Sequence, residues 1–594
     1  MIHEDEITGK AYDSRLMKRL LAYTVPYRRM IFIGVFLTLL AALLQLAGPY
    51  LTKLAIDKYI AQKQLSGLYY ILIIYFFVLV FLFLTQYAQI YVTQYFGQKL
   101  MFDIRSKIFR HIQSLSLSFF DKNPVGRLMT RVTSDVEALN QMFTQGIVTI
   151  FGDIFLLIGI IGALLYLDAR LALWIFIVIP FLFLVSIVFR VKVREAFRLI
   201  RKWVSRINTY VQENITNMPI VQIFNRTDKN YSVFSEINFE HTKAHVKTVF
   251  YFALFYPVIE FIGAFAIALV IWRGGIYKLE GLTTFGALVA FIQYAQMFFR
   301  PISDLSEKYN VLQQAMASSE RIFKLLDSPV LIKNSDHAVI KQNVDGKISF
   351  KNVYFAYNEP EYVLENISFE LEPGKSVAIV GHTGAGKTTL INILGRQYDI
   401  QKGNIFIDDL SLKKWDLDIL RNQIAVVLQD VFLFSGTVAD NIRLGNEHIS
   451  IETVKWAAHQ VNAHEFIEKL PYTYDTPVKE RGVSLSMGQK QLISFARALV
   501  INPRILILDE ATSSVDTETE ILIQEALTTL MQHRTSLIIA HRLSTIKHVD
   551  KIIVMHKGSI REMGTHEELL DRKGLYYQLY LLQYKSQENV FNRS

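Results

Sequence analysis

The sequence predicts an α-helical six-span transmembrane domain followed by an α/β domain built around a phosphate-binding loop. Three observations carry this reading. Apolar runs of about 20 residues, the length a helix needs to cross a bilayer core, crowd into the chain before residue 300. The stretch Gly381, His382, Thr383, Gly384, Ala385, Gly386, Lys387 and Thr388 lies between an apolar run at 376–380 and a helix-like run that begins at Thr389. Two later apolar runs, 505–508 and 537–540, end in Asp509 with Glu510 and in His541.

Composition bounds the answer. Of 594 residues, 51% are hydrophobic and mean hydropathy is +0.25, too apolar for an ordinary soluble protein. The chain has no cysteine, which excludes disulfides and thiolate metal sites. A net charge of +9 could suggest nucleic acid. The basic residues of the first half instead flank apolar spans, where phospholipid head groups would meet them, so no nucleic-acid partner is expected.

In chain order, residues 1–12 carry no apolar period and read as a tail. Residues 14–27 alternate Leu16, Leu20 and Leu21 with Arg15, Lys18 and Arg19, which suits an amphipathic helix lying on a membrane surface. A signal peptide is the competing idea, but the apolar segment that follows is as long as a full span and lacks a clear small-residue cleavage site. Six spans are expected at 30–51, 68–92, 146–167, 171–191, 249–272 and 282–299. Between the second and third, and the fourth and fifth, the chain makes long excursions rich in basic residues, among them Arg105, Arg110, Arg127, Arg194, Arg198 and Arg201. Such enrichment marks the cytoplasmic side, although Lys53, Lys58 and Lys63 in the first outer loop run against it. The excursions keep a helical period, so they read as continuations of membrane helices, with turns into short transverse helices at 119–128 and 214–220.

Asp153 and Glu260 fall inside spans, where an ionisable group needs a partner or a wet cavity. Two readings stay open: a structural hydrogen bond between helices, or a substrate path that favours cationic amphiphiles. After the sixth span a helical pattern runs to Leu326, residues 328–345 read as a linker, and a strand at 347–354 opens the second domain.

The chemistry accumulates there. Glycines let a backbone wrap a polyphosphate while N–H groups at the new helix's positive end point at the anion. Lys387 would reach the β and γ phosphates and the Thr388 hydroxyl would ligate Mg²⁺. Asp509, on a strand expected beside the loop, would hold Mg²⁺ through water, and Glu510 would polarise the attacking water. His541 is placed to contact the γ phosphate and help fix Glu510. Gln429 could offer a neutral oxygen to Mg²⁺ or water, and Tyr357 a flat ring for adenine stacking. Ser486, Gly488 and Gln489 open a second amphipathic helix and make a second anion site. One chain does not need two such sites for one ATP, whereas two chains packed head to tail would.

In order and spacing, the phosphate loop, Gln429, Leu485 to Gln489, Asp509 with Glu510, the run Ser513, Ser514, Val515, Asp516, and His541 resemble the ATP-binding-cassette exporters, over essentially the whole chain. The resemblance is to a bacterial multidrug-type half-transporter. It implies a transmembrane exporter domain at 1–327, a linker at 328–345 and an ATP-binding-cassette domain at 346–594. It also implies ATP and Mg²⁺ as cofactors, Asp516 among the nucleotide-site residues, and coupling helices at the two excursion tips. The expected setting is the cytoplasmic (inner) membrane, with the N-terminus and nucleotide domain in the cytoplasm. The expected activity is ATP-driven export of hydrophobic or amphipathic small molecules, drugs or lipids, by alternating access.

Two departures from the family pattern stand out: Met487 where the signature usually has glycine, and Lys479 where the segment before it usually has glycine. They resemble one subunit of a heterodimeric exporter, with a second half-transporter as partner. The alternatives are a homodimeric lipid flippase, or an ATP-gated channel or regulator, against which the intact Glu510 and His541 argue.

Overall fold

The computed structural model describes residues 13–341, 343–479, 482, 484–509, 517–540 and 546–582, with side chains except at 299, 300, 302, 303, 305–307, 309 and 517. Two compact units emerge, one gathering residues up to 111 and 126–327, the other 112–125 and those from 328 on.

The first unit is helical. Its elements are α1 (Ser14–Thr24), α2 (Arg28–Leu54), α3 (Leu65–Ser114), α4 (Leu117–Lys122), α5 (Val125–Val132), α6 (Ser134–Gln141), α7 (Val148–Phe176), α8 (Ile179–Thr216), α9 (Met218–Ile223), α10 (Thr227–Leu279) and α11 (Phe285–Leu326), of which α4 falls in the second unit. The long helices run on past the apolar segments: α3 has 50 residues and α10 has 53, so no loop separates membrane stretch from basic excursion. The excursions end in the short helices α4 and α9, as the proline-containing tips predict.

Among the described residues four helical runs are long and apolar enough to cross a membrane: Ser14–Ile60, Leu65–Ser114, Val125–Phe176 and Thr227–Leu279. Two of the six expected spans look different. The boundary near Leu167 is a kink in α7 at Asp168 (φ −165°, ψ 105°), whose carboxylate accepts from the Arg170 and Leu171 amides at 2.9 and 3.3 Å and so caps the next helical stretch. The stretch expected as the fourth span is then broken by a turn at Ile177 and Val178 before α8. The sixth falls in a shorter apolar segment, Phe285–Phe298, of α11.

Burial in this unit follows lipid rather than water logic. Phe83 on α3 is 67% exposed amid a row of outward aromatics, as a bilayer-facing surface requires. The packed core gathers Ile160, Leu164, Leu171, Ile175, Val270 and Phe291 from α7, α10 and α11. Its buried phenol is satisfied: the Tyr294 hydroxyl donates to the Leu46 carbonyl at 2.6 Å. Asp57, from the π-helical segment Ala55–Ile60 that continues α2, caps α11 by accepting from the Thr284 hydroxyl at 2.5 Å and the Gly286 amide at 2.8 Å. Towards the excursion end, buried Asp135 of α6 accepts from Arg131, Arg321 and Ser318. Burial alone would push its pKa up, but Arg321, Ser318 and Arg131 hold it below the usual carboxylate range.

The second unit is a layered α/β structure. A six-stranded sheet has the order β12-β11-β3-β10-β9-β6, where β3 is Ser376–Val380, β6 Ile424–Val427, β9 Ile505–Asp509, β10 Thr535–Ile539, β11 Lys551–His556 and β12 Ser559–Gly564. Strands β11, β3, β10, β9 and β6 are parallel and nearly wholly buried, which is why each reads as an unbroken apolar run. A four-stranded antiparallel sheet, β2-β1-β4-β5, joins β1 (Ile348–Phe355), β2 (Leu364–Leu371), β4 (Lys402–Ile407) and β5 (Leu410–Ser411), and a two-stranded one joins β7 (Gly436–Thr437) and β8 (Pro477–Val478). Helices α12 (Lys387–Leu394), α13 (Leu417–Gln423), α14 (Val438–Arg443), α15 (Ile451–Gln460), α16 (His464–Glu468), α17 (Met487–Val500), α18 (Thr517–Met531) and α19 (His566–Asp571) accompany the sheets.

One strand, β10, pairs with both the strand ending in Asp509 and the strand that feeds the phosphate loop, and so lies between them. Each of the three is apolar and buried, so nothing in their composition encodes which lies in the middle.

Candidate nucleotide site

The phosphate loop takes its shape from glycines whose backbone no other residue would adopt cheaply. Gly384 and Gly386 have φ of 81° and 96°, and a Cβ on Gly381 would stand 2.3 Å from the Met555 carbonyl of β11. Gly386 also caps α12 without any side-chain hydrogen bond, so the amides of the helix's first turn have no side-chain cap. Lys387, the first helical residue, folds back and donates its ammonium to the Gly381 carbonyl at 2.6 Å and the His382 carbonyl at 3.2 Å. Burial pushes its pKa down, against the upward pull of the Asp509 carboxylate at the end of β9. Loop lysine and strand acid therefore feel each other across the intervening strand.

His382, Thr383 and Thr388 are exposed, whereas Ala385 and Thr389 are buried. Thr388, Asp509 and the exposed Gln429, just beyond β6, offer hard oxygen donors of the kind Mg²⁺ takes alongside phosphates. Among the described residues no group of three or more His, Asp or Glu forms an all-protein metal cage. The donor set therefore fits a cation that shares its coordination with a polyphosphate. Tyr357 is 40% exposed and its hydroxyl is 3.2 Å from Thr389 Oγ1, which holds its ring beside α12. Glu510, His541 and Asp516, together with Glu480 and Arg481, lie outside the described residues.

The second predicted anion site is built differently. Ser486 caps α17 through a reciprocal pair: its hydroxyl accepts from the Gln489 amide at 3.2 Å, and the Gln489 side chain accepts from the Ser486 amide at 3.0 Å. The amides of Ser486 and Gln489 are thus engaged with each other's side chains, while the Ser486 hydroxyl, an acceptor in this pair, keeps its own proton to donate. Gly488 is buried and Met487 is 48% exposed. Arg497, further along α17, donates to the Asn441 carbonyl at 2.9 Å and the Phe432 carbonyl at 3.1 Å, which ties this helix to the loop that follows Gln429. Sequence reading passed over Arg497, since one arginine on an amphipathic helix carries no signal.

It also passed over two pairings. The Tyr398 hydroxyl donates to Asp121 Oδ2 of the α4 tip at 2.5 Å. The Tyr398 ring meets Tyr357 edge to face, with centroids 5.2 Å apart. Burial and Asp121 both push the Tyr398 phenol well above its ordinary range. The 119–128 tip was marked as a coupling element, but an isolated tyrosine after α12 gave no hint of its partner. In the membrane domain, Asp153 is paired with Lys308 of α11, which accords with the structural one of its two readings. Glu260 is exposed on α10.

Comparison with known proteins covers both units. Residues 31–302 match the family model described as ABC transporter transmembrane region, and residues 364–513 match the model described as ABC transporter. The chain is 40% identical over 588 residues to the uncharacterized ABC transporter ATP-binding protein YknV of Bacillus subtilis, covering 98% of this chain and 97% of that one. It is 38% identical over 542 residues to the probable multidrug resistance ABC transporter ATP-binding/permease protein YheH of the same organism, covering 90% and 80%. It is 37% identical over 574 residues to the ATP-dependent lipid A-core flippase of Syntrophus aciditrophicus, covering 96% and 95%.

Proposed function

The chain belongs to the ABC transporters, as a bacterial exporter half-transporter that couples ATP hydrolysis to transport, and from that premise we propose that it exports hydrophobic or amphipathic small molecules as one half of a heterodimer. The observation that carries the nucleotide chemistry is the loop itself: an uncapped helix end, a buried lysine within reach of it, and a strand acid whose field that lysine feels. The multidrug and lipid-flippase names of its relatives support the substrate class. Met487 in the signature supports an unlike partner, because its side chain crowds a surface that must approach phosphate closely. A homodimeric flippase is the second reading, favoured by the lipid A-core flippase relatives.

In this proposal the chain crosses the cytoplasmic membrane six times, with both basic excursions and the nucleotide domain inside. Lys387 and the loop amides hold the β and γ phosphates of ATP, and Tyr357 stacks on the base. Thr388, Asp509 and Gln429 would hold Mg²⁺, which supplies neutralising charge at the β and γ oxygens. Glu510 polarises the attacking water and His541 fixes it. The capped end of α17, with Ser486, Gly488 and Gln489, faces the nucleotide held by the partner, and Asp516 is counted among the nucleotide-site residues. Closure of the two nucleotide domains on shared ATP shifts the spans from inward-open to outward-open, because nucleotide binds the closed state more tightly.

The test is uptake of a fluorescent amphiphile by inverted vesicles that carry the complex. Uptake should need hydrolysable ATP and vanish in Glu510→Gln, which keeps ATP binding; uptake that persists in that variant refutes the mechanism. The native mass of the complex, drawn from its own membranes through a tag on this chain, separates the two partner readings. Two copies of this chain alone would overturn the heterodimer.

A further inference from the structure

We propose that Arg273, held between Trp174 and Trp272, is a binding site for the phosphate of an anionic phospholipid head group. Trp272 and Arg273 lie near the far end of α10, and Trp174 lies on α7 just past the Asp168 kink. The guanidinium carbon stands over both indoles, 4.5 Å from the Trp174 ring centroid and 4.7 Å from that of Trp272. Indole is the best aromatic host for a cation, but a ring face accepts no in-plane N–H. The five donors of a guanidinium lie in its plane, so they remain to be met.

Among the described residues they are not met. Arg273 Nε is buried without an acceptor, and among the described residues no carboxylate or carbonyl accepts from the terminal nitrogens. Asp153 shows the contrast, since its charge is answered by Lys308. An ionised group at membrane depth with no partner is costly, and the expected remedy is an anion from outside the chain. The fold also limits escape. A Cβ on the adjacent Gly274 would stand 2.4 Å from Leu288 Cδ1 of α11, so the backbone beside Arg273 is pressed against its neighbours.

The anion is a lipid phosphate rather than a free one because of what surrounds it. Arg273 follows the apolar stretch of α10 and precedes Lys278 and Glu280, the depth at which tryptophan belts and head groups lie. Trp272, Ile271 and Phe265 are each more than half exposed on the same helix, a surface an acyl chain can cover. Arginine meets a phosphate through two parallel N–H donors, a geometry that lysine lacks.

This inference rests on the membrane-spanning reading and not on export. The test uses the full complex, purified in detergent and placed in nanodiscs of phosphatidylcholine with phosphatidylglycerol, with retained lipid read by native mass spectrometry. Arg273→Gln should lower retained phosphatidylglycerol by about tenfold, the worth of one charge-assisted hydrogen bond. Arg273→Lys should fall between the two. Trp174→Ala, which keeps the guanidinium, should also lower retention, and it serves if the glutamine variant fails to fold. Retention equal to the unsubstituted protein in both Arg273→Gln and Trp174→Ala overturns the site. Displacement of the lipid by millimolar inorganic phosphate would assign the site to a free anion and overturn the lipid. Loss of retention in the variants with vesicle uptake intact supports the site as separate from export, whereas an unsubstituted complex that retains lipid but shows no ATP-dependent uptake sinks the export reading alone.

Discussion

Two helices in the nucleotide domain begin at points assigned to phosphate, and they begin in opposite ways. α12 starts from Gly386 in a left-handed conformation with no side-chain cap, whereas α17 starts from Ser486, whose hydroxyl and amide are engaged with Gln489. The first end is ready for an anion. The second has its Ser486 and Gln489 amides engaged in a reciprocal pair, which leaves the Ser486 O–H proton as the donor it offers an anion. The difference teaches that the two ends offer an anion different donors: open backbone amides at α12, and chiefly one hydroxyl at α17.

Substitutions can break or sharpen that contrast. Lys387→Ala, which removes the cation at the open end, should cost about 10²–10³-fold in ATP turnover, the usual effect of losing one preorganised donor. Turnover within threefold of the unsubstituted complex would remove the distinction between the two ends. Gly386→Ala should weaken ATP binding by about tenfold, because a left-handed alanine costs ~1–2 kcal/mol and its Cβ would stand 2.6 Å from Leu364 Cδ2. Fluorescent-nucleotide titration measures it, and unchanged affinity would show that the loop tolerates another path.

At the capped end, Ser486→Ala should cost about 1 kcal/mol of local stability, seen as faster amide exchange in the first turn of α17. ATP binding at this chain's own loop should be unchanged. A fall there as large as that from Gly386→Ala would mean that the two ends are not independent. Met487→Gly should raise turnover only with a partner whose own catalytic glutamate is competent; a large rise with a partner lacking it would refute the asymmetric scheme.

The smallest expected effect is that of Tyr398→Phe, which leaves Asp121 without its phenol donor, at about 1 kcal/mol. The pH dependence of that bond follows from the raised phenol pKa. Its contribution is full below the ordinary tyrosine value, near 10, and is lost only as pH rises through the still higher folded value. The difference between Tyr398→Phe and the unsubstituted protein should therefore stay constant from pH 6 to about 9. A difference that shrinks near pH 7 would contradict the assigned bond.

What the sequence makes legible follows the physics of each signal. Apolar runs and glycine spacing are local, so the membrane helices, the phosphate loop and the strands ending at Asp509 and Ile539 can all be read off directly. Strand order is not local: β3, β9 and β10 are equally apolar, and only the assembled sheet puts β10 in the middle. The kink at Asp168 was hidden because the carboxylate caps the next stretch and the helix simply turns, where a loop was expected. The pairings Asp153 with Lys308 and Asp121 with Tyr398 join residues more than 150 positions apart, beyond any periodicity.

Lys387 holds a last consequence. Its ammonium bridges the Gly381 and His382 carbonyls, so the first helical residue is tied back across the turn that precedes it. Under the proposed role a polyphosphate would draw that ammonium from the two carbonyls, and a loop so ordered would have little chain entropy left to lose.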